Sequence, residues 1–150
     1  MLSIIIPTYN NLEYLKICLK SLKKNSQLQH EIILHVNDGS DGTLKFAKEN
    51  NIPHSFSVNN VGLCTAINTA VKKASSNLLL YAHDDMYFCP GWEDHLIKEI
   101  NFIKHENFYF SGTMIVPNSG HIKLDCGYDY KNFDETKLLT EFNNTSFFDH

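Results

Sequence analysis

Short apolar runs rich in β-branched residues alternate with stretches of helical period across the first two-thirds of the chain, and each run ends in polar or glycine-rich residues. Residues 2–6 (LSIII) read as a buried strand closed by Pro7. Leu12, Leu15, Leu19 and Leu22 follow at helical spacing, with Asn10 or Asn11 as N-cap. A second strand, 31–36, runs into the turn-rich NDGSDGT at 37–43, after which Leu44 and Ala47 mark a short helix. A third strand over 54–58, an amphipathic helix carried by Leu63, Ala66, Ile67, Ala70, Val71 and Ala74, and a fourth strand over 78–82 continue the pattern. Pro90 suits the first position of another helix, with Trp92, Leu96, Ile97, Ile100 and Ile103 on its apolar side. This alternation predicts βαβ units: an α/β, Rossmann-like fold with a mainly parallel sheet and helices on both faces. Beyond residue 103 the pattern predicts a strand over 108–116, a turn at 117–120, a hairpin partner at 122–124 and a last helix over 134–142.

Parallel sheets of this kind bind ligands beyond the carboxyl ends of their strands. Four segments lie at those ends: Thr8-Tyr9-Asn10, Asn37-Asp38-Gly39-Ser40, Asn60-Val61-Gly62 and His83-Asp84-Asp85. The last is the most demanding, because adjacent carboxylates raise each other's pKa unless something positive relieves them. Either both acids face water before a helix, where negative charge is favoured, or they hold a cation. A hard divalent cation such as Mg²⁺ or Mn²⁺ takes one or two carboxylates and completes its shell with phosphate oxygens. Asp38 is either a turn residue or an acceptor for a base or ribose, and Tyr9 either packs on the first helix or stacks on a base. His83 reads as a structural hydrogen-bonder, Trp92 as core rather than acceptor pocket, and Ile97, Ile100 and Ile103 as core.

The chain has 150 residues and 43% hydrophobic content, enough for one compact domain. Its formal charge of −4 excludes the basic excess that drives nucleic-acid binding. Cys18, Cys64, Cys89 and Cys126 show no metal-ligand or disulfide spacing, which points to reduced thiols in a cytoplasmic protein. There is no signal-peptide pattern and no apolar run approaching the ~20 residues of a membrane span. The sequons at 143–146 are incidental without a secretion signal. Neither GxGxxG after the first strand nor GxxxxGK[ST] occurs, nor does GxSxG.

SIIIPTYNNLEYLKICLKSL, VNDGSDGT, NVGLCTAINTAV and LLLYAHDDMYFCPGW, in this order and spacing, resemble the family 2 glycosyltransferases, which have the GT-A fold. The resemblance covers residues 2 to about 103. It implies a donor site for a nucleotide-diphosphate sugar, commonly UDP-linked. Pro7, Thr8 and Tyr9 would line the base pocket and Asp38 would hydrogen-bond the base. Asn60 and Gly62 would lie near base and ribose, and Asn68 on the helix that follows. Asp84 would face the ribose or diphosphate, with Asp85 the main ligand of Mg²⁺ or Mn²⁺. The resemblance further implies an inverting transfer to a saccharide or glycoconjugate acceptor.

An inverting transfer also needs a carboxylate base on the acceptor side, and no family-like base motif follows the acidic pair. Asp125, Asp129, Asp134 and Glu135 are the available acids. The expectation is a single GT-A-like domain over 1–150, with a donor part at 1–103 and an incomplete acceptor-side part at 104–150. The alternative is a truncated GT-A module that binds a nucleotide sugar without efficient transfer. A nucleotidyltransferase is disfavoured, because PTYNNLEY replaces the Gly-rich basic loop that would hold a triphosphate. Oligomeric state, donor sugar and acceptor are not encoded in any motif.

Overall fold

The computed structural model describes residues 1–105, 107–112, 115–116 and 122–144. These fall into two compact units, Met1–His95 and Leu96–His150. The first holds β1 (Ser3–Tyr9), α1 (Leu12–Asn25), β2 (Glu31–Asn37), α2 (Thr43–Glu49), β3 (His54–Ser57), α3 (Leu63–Val71) and β4 (Leu79–Tyr81). All pairings in its sheet are parallel, in the order β3-β2-β1-β4. The expected βαβ alternation is therefore present, and the order reverses direction between β1 and β4.

β1 runs through Pro7 rather than stopping at it. Odd-numbered residues of β1 bond toward β4 (Ser3 N–H to Leu78 O, Ala82 N–H to Ile5 O), and even-numbered ones toward β2 (Glu31 N–H to Leu2 O). The donor that Pro7 lacks would point toward β4, past its last paired residue Tyr81. The ladder to β2 loses nothing, so the usual ban on interior proline does not apply.

Neighbours in register share a face. Ile5 and Ile33 meet Ala70 of α3, with Ile67, Val71 and Ala74 packed alongside. On the opposite face lie Ile4, Ile6, Leu34 and Val36, all fully buried. α2 adjoins that face, since a Cβ added to Gly39 would meet both Val36 and Leu44. α1 belongs with α2. Lys16 Nζ sits 5.9 Å from the Phe46 ring, and Asp41 accepts the first N–H groups of both helices, Leu12 at 2.8 Å and Thr43 at 3.0 Å. Asn11 is the N-cap residue, as expected, and its carbonyl accepts Leu15 N–H, but its side chain makes no cap bond. Its amide is used elsewhere.

Three polar residues of β2 pin the α3 side. Glu31 accepts from Ser3, from Ser75 N–H and from the Ser75 hydroxyl. His35, fully buried, lies between Ser55 Oγ (2.8 Å) and Ser57 Oγ (3.1 Å). Asn37 Oδ1 accepts Val61 N–H at 3.0 Å, fixing the entry to α3.

The helix after β4, α4 (Trp92–Phe102), starts two residues later than Pro90 predicts. Gly91 has φ +74°, which a right-handed helix does not accept. Glu93, 1% exposed, accepts Leu28 N–H at 3.0 Å, and also Gln27 N–H and His30 Nε2–H. Because His30 Nδ1 accepts Leu2 N–H, Nε2 is the ring nitrogen that donates to Glu93. Trp92, expected in the core, is half-buried; it packs at a tilt against His30 and edge-on against Phe88 and donates to Ser26 Oγ at 3.2 Å.

In the second unit Ile97, Ile100 and Ile103 are half-buried rather than core. Strand structure within 108–116 is confined to β5 (Ile115–Val116), with 113–114 outside the described residues. β5 pairs with β6 (Ile122–Lys123) in parallel, so the pair is not the expected hairpin. The predicted turn at 117–120, and Thr145 and Ser146 of the sequons, lie outside the described residues. The last helix is α5 (Glu135–Asn144), starting one residue and ending two residues later than expected, with Leu138 buried.

Candidate donor site

The order reversal between β1 and β4 opens a crevice at the carboxyl ends of those strands, the usual ligand position in an open parallel sheet. The loops after β1, β2 and β4 are tied together there by side chains. Asn11 Nδ2 donates to Asp84 Oδ1 at 3.0 Å across the crevice. Asn10 Nδ2 donates to Asp38 Oδ2 at 2.8 Å. Asn10 and Asp38 both have positive φ, +47° and +60°, a region that Asn and Asp tolerate better than most residues.

Asp84 is half-buried, whereas Asp85 is exposed. Burial pushes the Asp84 carboxyl above its usual range, and the Asp85 charge adds to the rise. The Thr8 hydroxyl and the Asn11 amide oppose it. Thr8 Oγ1 is sealed from solvent but meets no partner at hydrogen-bonding geometry, so it acts on Asp84 as a nearby dipole rather than as a formed bond. The same two acids reach neighbouring groups. Cys18, whose Sγ donates to His83 O at 3.7 Å, has its pKa pushed up to about 12 by burial and then by the charges of Asp84 and Asp85. Such a thiol is no nucleophile. Burial raises Tyr81 as well, with both aspartates contributing, and its hydroxyl bonds His83 Nε2 at 2.9 Å. His83 is thus the structural hydrogen-bonder expected.

The remaining candidates divide clearly. Pro7 and Thr8 are buried in β1, and Tyr9 at its end is 52% exposed, an aromatic face open to solvent. Asn60 Oδ1 accepts Gly62 N–H at 2.9 Å, shaping the start of α3, where Gly62 has φ +77°. Asn68 stands apart: it is exposed on the side of α3 opposite Ala66 and Ala70, which are buried. Asn11 and Ser40 are site-forming residues that sequence reasoning did not single out. Their signal was weak, an extra Asn after PTYN and a Ser inside a turn that reads as turn chemistry anyway.

Among the described residues no group of three or more His, Cys, Asp or Glu is assembled to hold a metal. Two adjacent carboxylates, one partly desolvated and poorly compensated, still fit a cation that completes its shell from a diphosphate. Three acids of the second unit hold backbone instead. Asp125 accepts Gly127 N–H, Asp129 accepts Lys131 and Asn132 N–H, and Asp134 accepts Lys137 N–H.

A parallel sheet in this order, with an acidic turn at its switch point, is an α/β domain of the GT-A type. The chain belongs to glycosyl transferase family 2, whose family model matches residues 3–150, further along the chain than the motifs at 2–103. It is 33% identical over 103 residues to the uncharacterized glycosyltransferase YwdF of Bacillus subtilis, covering 66% of this chain and 38% of YwdF. It is 29% identical over 116 residues to an uncharacterized glycosyltransferase of Rickettsia bellii, covering 74% of this chain and 16% of that protein. The crystal structure of S. aureus TarS 1–349 matches with TM-score 0.60 at 25% identity, over 67% of this chain and 32% of that 1–349 chain. A mannosyltransferase of Pyrobaculum calidifontis, solved with GDP-Man and Mn²⁺, shares the fold with TM-score 0.53 at 17% identity, over 70% of this chain and 32% of that one. The chain spans less than half the length of these relatives. Among the described residues no helix is long and apolar enough to cross a membrane.

Proposed function

We propose that the chain is the donor-binding part of a metal-dependent, inverting glycosyltransferase that takes a nucleotide-diphosphate sugar, UDP-linked, and serves a saccharide or glycoconjugate acceptor in the cytoplasm, where its free cysteines stay reduced. The observation that carries this reading is the cross-crevice bond from Asn11 to Asp84, which joins the acidic turn to the β1 loop at the sheet's switch point. Tyr9 stacks on the base and Pro7 and Thr8 wall the pocket. Asp38 accepts a base N–H, and the Asn60–Gly62 turn borders the ribose. Asp84 and Asp85 hold Mg²⁺ or Mn²⁺, which when bound supplies Lewis-acid neutralisation of the leaving diphosphate. TarS has been solved in complex with UDP and the P. calidifontis enzyme with Mn²⁺, which supports this donor and cofactor class. Residues 1–103 form the donor part, and 104–150 begin the acceptor side.

A second reading, donor binding without transfer, is favoured by one observation: Asp125, Asp129 and Asp134 each already accept a backbone N–H through Oδ1, the work of turn residues rather than of a base. UDP with Mn²⁺ at a hundredfold excess over Kd should stabilise the chain by about 2.7 kcal/mol, a rise in Tm of roughly 5 °C or more. Asp85→Ala should abolish the metal-dependent part. The absence of any shift with all nucleoside diphosphates and both metals would end the donor-site reading. Labelled nucleotide sugars bound but never turned over would favour the second reading over the first.

A further inference from the structure

Asp38 meets a ligand with half of its carboxylate already used. Oδ2 accepts Asn10 Nδ2 at 2.8 Å and Ser40 Oγ at 3.2 Å, and Asn10 Nδ2 also donates to Ser40 Oγ at 3.2 Å. A carboxylate oxygen offers two lone-pair directions, so these donors fill Oδ2. Among the described residues no other side chain donates to Asp38, which leaves Oδ1 open. The arrangement is set by the backbone as well. Asp38 N–H is held by Ser57 O at 2.8 Å, and Asp38 and Asn10 both occupy positive φ. Gly39 follows at φ +71°, where any Cβ would strike Val36 and Leu44. The carboxylate cannot swing freely to offer both oxygens.

We infer that Asn10 and Ser40 determine base specificity: by saturating Asp38 Oδ2 they leave one acceptor, suited to the single imide N–H of a uracil-type base. Guanine presents N1–H and N2–H in parallel and needs both carboxylate oxygens to be read in full. The inference rests on the donor-site reading, since Asp38 must face the base.

Hypoxanthine separates hydrogen-bond count from ring size. It is a purine like guanine but carries only the N1–H. Kd values for UDP, GDP and IDP, each with Mn²⁺, are therefore measured by calorimetry on the 150-residue chain, the Ser40→Ala variant and the Asn10→Gly/Ser40→Ala double variant. Glycine keeps the positive φ at position 10 while removing the amide. The native chain should bind UDP best and gain nothing from the 2-amino group, with GDP no tighter than IDP. Freeing Oδ2 in the double variant should move the GDP-to-IDP affinity ratio toward GDP by about tenfold or more. Ser40→Thr, which keeps the hydroxyl, should retain the native ratio. Because the ratio is internal to each variant, a general loosening of the loop lowers both affinities and leaves it unmoved, and that result overturns the inference. GDP outbinding IDP tenfold in the native chain overturns it too. If none of the three diphosphates binds, the donor-site reading falls and this one with it. Binding with an unmoved ratio sinks only this one.

Discussion

The two units of the chain use the same kinds of residue in different ways. Between Leu2 and Ala82, fourteen apolar side chains are buried, most of them on the central strands β1 and β2 or on the helices that cover them. From Leu96 onward, only Cys126 and Leu138 are buried among the described residues. The first unit therefore carries a packed sheet on which strand-end loops can be held in strained, positive-φ conformations. The second is held by turns: Asp129 clamps Lys131 and Asn132, Asp134 N–H bonds Cys126 O, and Gly127 has φ +106° with Asn132 O only 2.2 Å from where a Cβ would sit. Few buried apolar groups mean little cooperative stability. A site that needs rigid geometry belongs in the first unit, where the candidate donor residues lie.

Matched core truncations test this contrast most strongly. Leu34→Ala, in the fully buried centre of β2, should cost about 3–4 kcal/mol in chemical denaturation. Leu138→Ala, at 7% exposure on α5, should leave the main transition within about 1 kcal/mol of the parent. Equal losses would show that one cooperative core extends through both units.

Matched carboxylates give the next largest effect. Glu93 and Asp129 each gather three hydrogen bonds, but Glu93 is 1% exposed whereas Asp129 is only half-buried and its bonds lie open to solvent. Glu93→Ala strands Gln27 and Leu28 N–H and the His30 ring in a dry site, for about 3 kcal/mol. Asp129→Ala returns its donors to water and should cost about 0.5 kcal/mol. Thermal unfolding of both variants, followed by circular dichroism, decides the matter. A large loss at Asp129 would mean that turn chemistry contributes more to stability than burial allows.

The same contrast explains what the sequence made legible. The β-branched runs and their periodic helices encode the sheet through local patterning, so β1 to β4 and α1 to α3 were readable, as was the gathering of four polar segments at one edge. Missed were the features that depend on contacts far apart in sequence. Asp41 supplies the side-chain cap of α1 from 29 residues away, and the N-cap Asn11 spends its amide on Asp84, 73 residues on. Pro7 sits inside β1 because β4 is too short to need its N–H, a fact about a neighbour that no local rule contains. Where packing is thin, beyond residue 103, local signals misled: the Phe- and Tyr-rich run at 108–112 forms no strand, and β5 and β6 pair in parallel.

The smallest effect is a slope in pH, and it comes from the first unit. His35 is fully buried between Ser55 and Ser57, and burial holds its pKa below the ordinary 6.5, with the Asn37 side chain opposing. In the unfolded chain the imidazole takes up its proton near 6.5, so below that pH the unfolded state binds more protons than the native one. Stability is then full above 6.5 and falls as the pH drops toward the lower native value, by at most about 1.4 kcal/mol per pH unit for one such group. Glu93 has the opposite chemistry but the same sign. Burial alone would raise its pKa, yet the His30 contact and the Gln27 and Leu28 N–H groups bring it below 4.5, so its contribution is full above 4.5 and is lost as the pH falls from there toward the lower native value. Between pH 7 and 5 the two separate. His35→Gln, which keeps a polar partner for the serines, should flatten the pH dependence of the denaturation midpoint in that window, while Glu93→Gln leaves the slope there and removes it only in stronger acid. A slope that survives His35→Gln unchanged would place the titrating group elsewhere and deny the buried strand β2 its part in the acid response.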